Sequence, residues 1–253
     1  MLNSKIFKQM ETKTLKIAMT AFAVCLFSVT IHAQAPLLTP AQMPNAVHYL
    51  PAPPDSLSAA FRYDLAQYGW GKQQRLDPQR NAVAVSDAVW SVDNICAIYE
   101  KVLGIRISPE YTPAIYRMLS VGLMTTDQAG KLAKAHYMRT RPYVYFNEPT
   151  IVPGDEDELR HNGSYPSGHT ILGWSAALLL TELMPEYADA ILARGYVYGE
   201  SRVVAGFHWQ SDVDAGRLVA SAAVARLHAD KCFQKLMKKA RKEYKKLQRK
   251  RVL

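Results

Sequence analysis

Apolar residues recur along most of this chain at helical spacing. From Ile171 to Met184 they form an almost unbroken run. It ends at Pro185, short of the roughly 20 residues needed to cross a bilayer, and reads as a helix buried on every side. Upstream, Asp55 or Ser56 can cap a helix starting at Leu57, with Leu57, Phe61, Leu65 and Tyr68 on one face and Gly69 at its end. A second helical region spans Asn81 to Leu103 and closes at Gly104. A third covers Pro109 to Val121, with Ile115, Met118 and Leu119 facing inward. Thr126 or Asp127 caps a fourth, which runs to about Arg139 and is ended by Pro142. Beyond the buried run come a helix from Tyr187 to Glu200, a turn at Gly206, and a last core helix capped by Ser211 or Asp212 and reaching His228. Finally, Phe233, Leu236, Met237, Ala240, Tyr244 and Leu247 recur at helical spacing opposite a Lys/Arg face. No alternating strand pattern of useful length and no internal repeat appears. The expected fold is all-α, a helical bundle around the central Ile171 helix.

The stretches without helical period divide the chain. Residues 34–54 carry six prolines and read as an extended arm on the surface. Tyr143 to His161 is irregular and holds the acidic run Asp155-Glu156-Asp157-Glu158. A loop of that length is either functional or a solvated surface. At the N-terminus, Lys5, Lys8, Lys13 and Lys16 precede an apolar run, Ile17 to Ile31, and the small residues around Ala33. This is the pattern of a secretory signal cut after Ala33; an uncleaved anchor helix is the alternative. The expected organisation is a signal peptide over 1–33, the Pro-rich arm over 34–54, a helical catalytic domain over 55–230 and a basic amphipathic helix over 231–253. The mature protein is expected to be periplasmic or secreted.

Charge is distributed unevenly. The formal net charge is +9, yet residues 34–230 sum to −4 and residues 231–253 to +10. The basicity belongs to the last helix, so it is no evidence for a fold built to bind nucleic acid, and no specific nucleic-acid partner is expected. Two cysteines, Cys96 and Cys232, follow the signal region. In an oxidising compartment they can pair, or stand as two buried thiols. No Cys/His cluster suggests a metal site.

Three clusters carry candidate chemistry. Lys134 and Arg141 are seven residues apart, two turns of one helix, and so would share a face. The octet Gly163-Ser164-Tyr165-Pro166-Ser167-Gly168-His169-Thr170 precedes the buried helix, whose N-terminus favours an anion. Ser201-Arg202 is followed by His208 and then Asp212, a carboxylate able to orient the imidazole and leave its other nitrogen free to attack. Each cluster also has a plain structural reading: a solvated basic face, a helix cap, a core histidine beside a capping aspartate. Together they supply what phosphoryl transfer through a histidine requires: cations for the equatorial oxygens, one histidine to attack and another to protonate the leaving oxygen.

Lys134, Arg141-Pro142, Pro166-Ser167-Gly168-His169 and Ser201-Arg202…His208…Asp212 stand in an order and spacing that resemble the three-part signature of the type 2 phosphatidic acid phosphatase and vanadium haloperoxidase superfamily. The octet, Leu50 to Ser56, Ala135 to Arg139 and Gly206 to Asp214 are similar to the bacterial class A non-specific acid phosphatases, and the likeness covers essentially the whole mature chain. The resemblance implies the all-α acid phosphatase/haloperoxidase fold and an exported enzyme, usually oligomeric, that hydrolyses a broad range of phosphate monoesters, nucleotides included. It implies His208 as the nucleophile that becomes phosphohistidine, Asp212 as its orienting group, and His169 as general acid and then base. Lys134, Arg141, Ser167, Gly168 and Arg202 would bind the phosphate oxygens. It implies no cofactor and no metal, with vanadate as an inhibitor or phosphate mimic, and leaves room for phosphotransferase activity. Three other readings compete: a vanadate-dependent haloperoxidase using the same pocket, a membrane lipid phosphatase (opposed by the lack of several apolar spans), and a binding protein whose basic tail contacts anionic surfaces.

Overall fold

The computed structural model describes residues 35–251, so the signal read from residues 1–33 lies outside the described residues. Its helices are α1 (Ala46–Tyr49), α2 (Ala59–Gln74), α3 (Pro78–Asp87), α4 (Val92–Leu103), α5 (Pro113–Thr126), α6 (Gln128–Tyr137), α7 (Pro142–Phe146), α8 (Glu156–Arg160), α9 (Gly168–Leu183), α10 (Ala188–Ala205), α11 (Gln210–His228) and α12 (Lys231–Arg251). Short 3₁₀ turns lie at Pro40–Gln42, Pro153–Asp155 and Pro185–Tyr187. No strand forms among the described residues; the fold is all-α, as expected.

The apolar run from Ile171 is the middle of α9, and that helix is the hub. Ile171, Leu172, Ala176, Leu179, Leu180 and Leu183 are buried along its length. It packs most closely against α10 and α11. The approach to α10 depends on Gly173: a Cβ there would lie 2.2 Å from the ring of Tyr198. Around α9, the main core gathers Ile95, Tyr99, Ile115, Met118, Leu119 and Leu123 with Leu227, Phe233 and Met237. The inward stripe read for the third helix, Ile115, Met118 and Leu119, is completely buried.

Several expectations need correction. The first long helix starts two residues later, capped by the Ser58 hydroxyl, and Leu57 is left 87% exposed. It also continues past Gly69 to Gln74. The glycine that matters is Gly71, where a Cβ would meet the Val203 carbonyl at 2.8 Å; it serves close packing on α10 rather than termination. The region 81–103 is two helices. Ser91 caps α4 from the Asn94 amide at 3.0 Å, while the Asn94 side chain donates to the Ser86 and Val89 carbonyls of the preceding segment. One residue, Asn94, thus helps end α3 through its side chain and begin α4 through its backbone amide.

Tyr137 is the last residue of α6, and Met138 follows at φ 41. Arg141 is therefore off that helix, and Pro142 opens α7 at its first position, where its missing N–H costs nothing. The loop 143–161 contains both α7 and α8. Its acidic run forms α8, with Glu156 accepting from the Thr150 amide at 2.7 Å and hydroxyl at 2.8 Å. The Pro-rich arm is not uniformly extended. It carries a 3₁₀ turn and α1, and buries Leu38, Met43 and Ala46 in a small core with Ala129, Ala133 and Val219. Cys96 is buried and Cys232 exposed, both as free thiols.

Candidate active site

The three sequence clusters meet at one cavity of about 1030 Å³, lined by Lys134, Arg141, Gly168, His169, Arg202 and His208 among others. Each side chain arrives from a different place. Lys134 comes from the last turns of α6, and Arg141 from the cap position of α7. Gly168 and His169 begin α9. Arg202 lies in the last turn of α10, which Gly206 ends at φ 93. His208 follows in the linker, and Asp212 sits in the first turn of α11. Lys134 and Arg141 do share the pocket, although not a helix face: the backbone reverses between them.

His208 is held at both nitrogens. Nδ1 lies 3.2 Å from Asp212 Oδ2, and Nε2 lies 3.1 Å from the Arg141 guanidinium. Arginine only donates and carboxylate only accepts, so the neutral ring carries its proton on Nδ1 and keeps a lone pair on Nε2. Burial pushes the imidazole pKa well below its ordinary value, with Arg141, Lys134 and Arg202 adding to the effect. His169 is also pushed well below by burial, then by Arg202. Its Nε2 is 2.9 Å from the Ala88 carbonyl, which can only accept, so that nitrogen bears a proton. Trp90 meets the ring edge-on, with centroids 4.7 Å apart.

The cations are not equivalent. Arg141 donates to the Leu159, Asn162 and Phe207 carbonyls as well as meeting His208. Lys134 donates to the Gly163 carbonyl at 2.9 Å. Burial, then Arg141, brings its ammonium pKa down to about 7. Arg202 is completely buried, yet none of its three guanidinium nitrogens has a hydrogen-bond partner. Its guanidinium carbon lies over the Phe207 ring, 4.6 Å from the centroid. A buried guanidinium with unused donors is costly unless an anion takes them.

Ser167 and Asp212 are fully buried and do not line the cavity. The Ser167 hydroxyl caps α9, accepting from the Thr170 amide and hydroxyl. The Ser167 amide donates to the Asp212 carbonyl at 2.9 Å, so the octet is tied to the helix that carries the carboxylate.

Two participants escaped the sequence reading. Arg139 bridges Asp212 at 2.6 Å and Asp64 at 2.7 Å, and donates to the Ser211 hydroxyl. Asp64 in turn accepts from the Ser211 amide and hydroxyl. Asp64 lies 148 residues before Asp212 in the chain, and no local spacing could reveal that pairing. The faint signal was an aspartate on the apolar face of a helix, between Phe61 and Tyr68. Trp90, between the helices once read as continuous, was a third omission.

A group of three or more His, Cys, Asp or Glu side chains fit to hold a metal is absent among the described residues. The model of the PAP2 superfamily matches residues 114–232, the span that holds every residue of the three-part signature. A non-specific acid phosphatase of Salmonella typhimurium is 46% identical over 210 residues, 82% of this chain and 83% of the relative. That of Providencia stuartii is 42% identical over 81% of this chain and 83% of its own length. The chain belongs to the PAP2 superfamily, among its class A acid phosphatases. An acid phosphatase of Zymomonas mobilis, 38% identical over 78% of this chain, shares the likeness. The match to the phosphatase relatives extends well beyond the signature. Among the described residues no helix is long and apolar enough to cross a membrane.

Proposed function

We propose that this phosphatase cleaves a broad range of phosphate monoesters, nucleotides among them, through a phosphohistidine at His208. The observation that carries the reading is the meeting of the His208 Nε2 lone pair with the unpartnered Arg202 guanidinium in one buried pocket. The Nε2 pair attacks phosphorus and the P–O bond to the alcohol breaks. The bound phosphate offsets Arg202 and raises the depressed His169 pKa, and the protonated ring gives its proton to the departing oxygen; with Nε2 on the Ala88 carbonyl, Nδ1 is the nitrogen left to exchange it. Water then attacks the phosphohistidine, His169 takes its proton, the N–P bond breaks and inorganic phosphate leaves. An alcohol in place of water would give phosphotransfer.

Lys134, Arg141 and Arg202 neutralise the phosphoryl oxygens, and the first amides of α9 face the same charge. The Ser167 hydroxyl, buried behind the cavity wall, caps the helix whose first amides face that charge. Asp212 holds the Nδ1 proton and stabilises the cation that forms as the ring is phosphorylated. These cations do the work a metal would otherwise do, so the reaction needs none, and vanadate would bind as a phosphate mimic. A cavity of about 1030 Å³ leaves the alcohol largely unconstrained, which supports a broad range. Export rests on the signal pattern, and self-association on the resemblance to the class.

The test compares wild type with His208→Ala on a chromogenic phosphate ester at mildly acidic pH, with chelator present. Wild type is expected to turn over, and the variant to lose about 10⁴-fold or more. Rapid acid-free denaturation with labelled ester should trap an alkali-stable phosphoprotein in wild type only. Equal activity in the two proteins would sink the reading. Halide oxidation that appears only after vanadate is added, with no hydrolysis before, would favour the haloperoxidase instead.

A further inference from the structure

The last helix presents two unlike faces. The apolar stripe of α12 is consumed by the fold: Phe233, Met237, Ala240 and Tyr244 are buried. Glu243, the one acid on the helix, is also turned to the body, where its carboxylate accepts from the Ala114 amide at 3.0 Å and the Ile115 amide at 2.9 Å. Tyr244 and Gln248 both donate to Glu186. The helix is therefore docked along its length.

Its outer face is almost purely cationic. Lys235, Lys238, Lys242, Lys245, Lys246 and Arg249 are exposed. At about 100° and 1.5 Å per residue, they share one half of the cylinder over roughly 20 Å. Arg241, at the margin, is partnered by Glu182. Nothing acidic on α12 opposes the outward charge. Residues 34–230 sum to −4 against +10 for residues 231–253, so the molecule is strongly polarised.

We infer that this face docks the protein on an anionic phospholipid surface, by charge and without insertion. An amphipathic helix that enters a bilayer does so with its apolar face, and here that face is already buried. What remains is the polybasic attraction of a lysine-rich strip for acidic headgroups. The exposed strip offers cations without aromatic rings among them, whereas binding to single-stranded nucleic acid adds stacking platforms. A flat lipid surface is the form of charge that a straight, rigid strip meets along its whole length.

The test is co-sedimentation of the purified protein with vesicles of phosphatidylcholine containing roughly 30% phosphatidylglycerol, beside vesicles of phosphatidylcholine alone. The expected result is binding to the first only, lost as salt is raised. Replacing Lys235, Lys238, Lys242, Lys245, Lys246 and Arg249 with Gln should weaken association about a hundredfold or more. Because those side chains point away from the body, hydrolysis of a small soluble ester and Tm should stay at the wild-type values. Equal binding to both vesicles, or unchanged binding by the sixfold variant, would overturn the inference. So would retention by duplex DNA without binding to anionic vesicles. This inference is independent of the histidine mechanism, since sedimentation is read without turnover.

Discussion

Two buried arginines near the site are held in opposite ways. Arg139 spends its guanidinium on Asp64, Asp212 and Ser211. Arg202 has all three nitrogens buried and none hydrogen-bonded. Both lie in a low-dielectric interior, where a charge is costly to strand. The first is compensated by the protein itself and works as scaffold beneath the carboxylate that orients His208. The second is uncompensated at the wall of the cavity, and in the proposed reaction the substrate supplies the missing negative charge. On that proposal, hydrogen-bond satisfaction, more than burial or charge, separates the arginine that positions from the arginine that binds.

Replacing each arginine with methionine should break that symmetry. Arg202→Met is expected to lower kcat/KM on the order of a thousandfold, with Tm unchanged or raised because an unpaired buried charge has gone. A comparable fall in Tm would mean that Arg202 is structural after all. Arg139→Met strands Asp64 and Asp212 and should reduce unfolding stability by about 3–5 kcal/mol in denaturant titration. Arg139→Lys should recover part of both stability and kcat, with KM little changed, if the role is positioning.

The pH profile sharpens the contrast further. The pKa of His208 is depressed by burial, so its attacking nitrogen stays unprotonated as pH falls well below the ordinary imidazole range. The acid limb of kcat/KM should therefore lie low. Burial brings the Lys134 pKa down to about 7; as pH rises through that value it loses the charge proposed to hold phosphate, and activity should fall. The protein is expected to work on the acid side of neutrality, and Lys134→Arg should move the alkaline limb upward. An unmoved limb assigns that ionisation elsewhere. The smallest effect concerns Trp90, half exposed at the cavity mouth. Trp90→Ala should raise KM for an aryl phosphate a few fold with kcat unchanged, and leave an alkyl phosphate alone.

Much of this was legible in the sequence, and what was not has physical causes. The buried helix at Ile171 stands out because an apolar run of that length bounded by proline has few other uses. The proposed phosphate wall was readable since its residues sit at short fixed offsets within each cluster. Two errors came from treating glycine and proline as stop signs. Gly69 does not end its helix, which runs on to Gln74, and Pro142 starts a helix instead of merely ending one. Helical arithmetic then put Lys134 and Arg141 on one face, although Met138 takes the left-handed conformation between them. Asp64 and Arg139 were missed because their partners are distant in sequence. The apolar period of α12 was correct, but periodicity does not reveal whether a stripe meets the same molecule or another surface.

The gap between α3 and α4 has a consequence for heredity. His169 is aimed by the carbonyl of Ala88, an atom that every amino acid possesses. No codon change at position 88 can delete that acceptor, whereas changes at Ser91 or Asn94 that let α3 run on into α4 would redirect it. The proposed proton donor is thus sheltered from substitution at the residue it touches and exposed to substitution at residues it never meets.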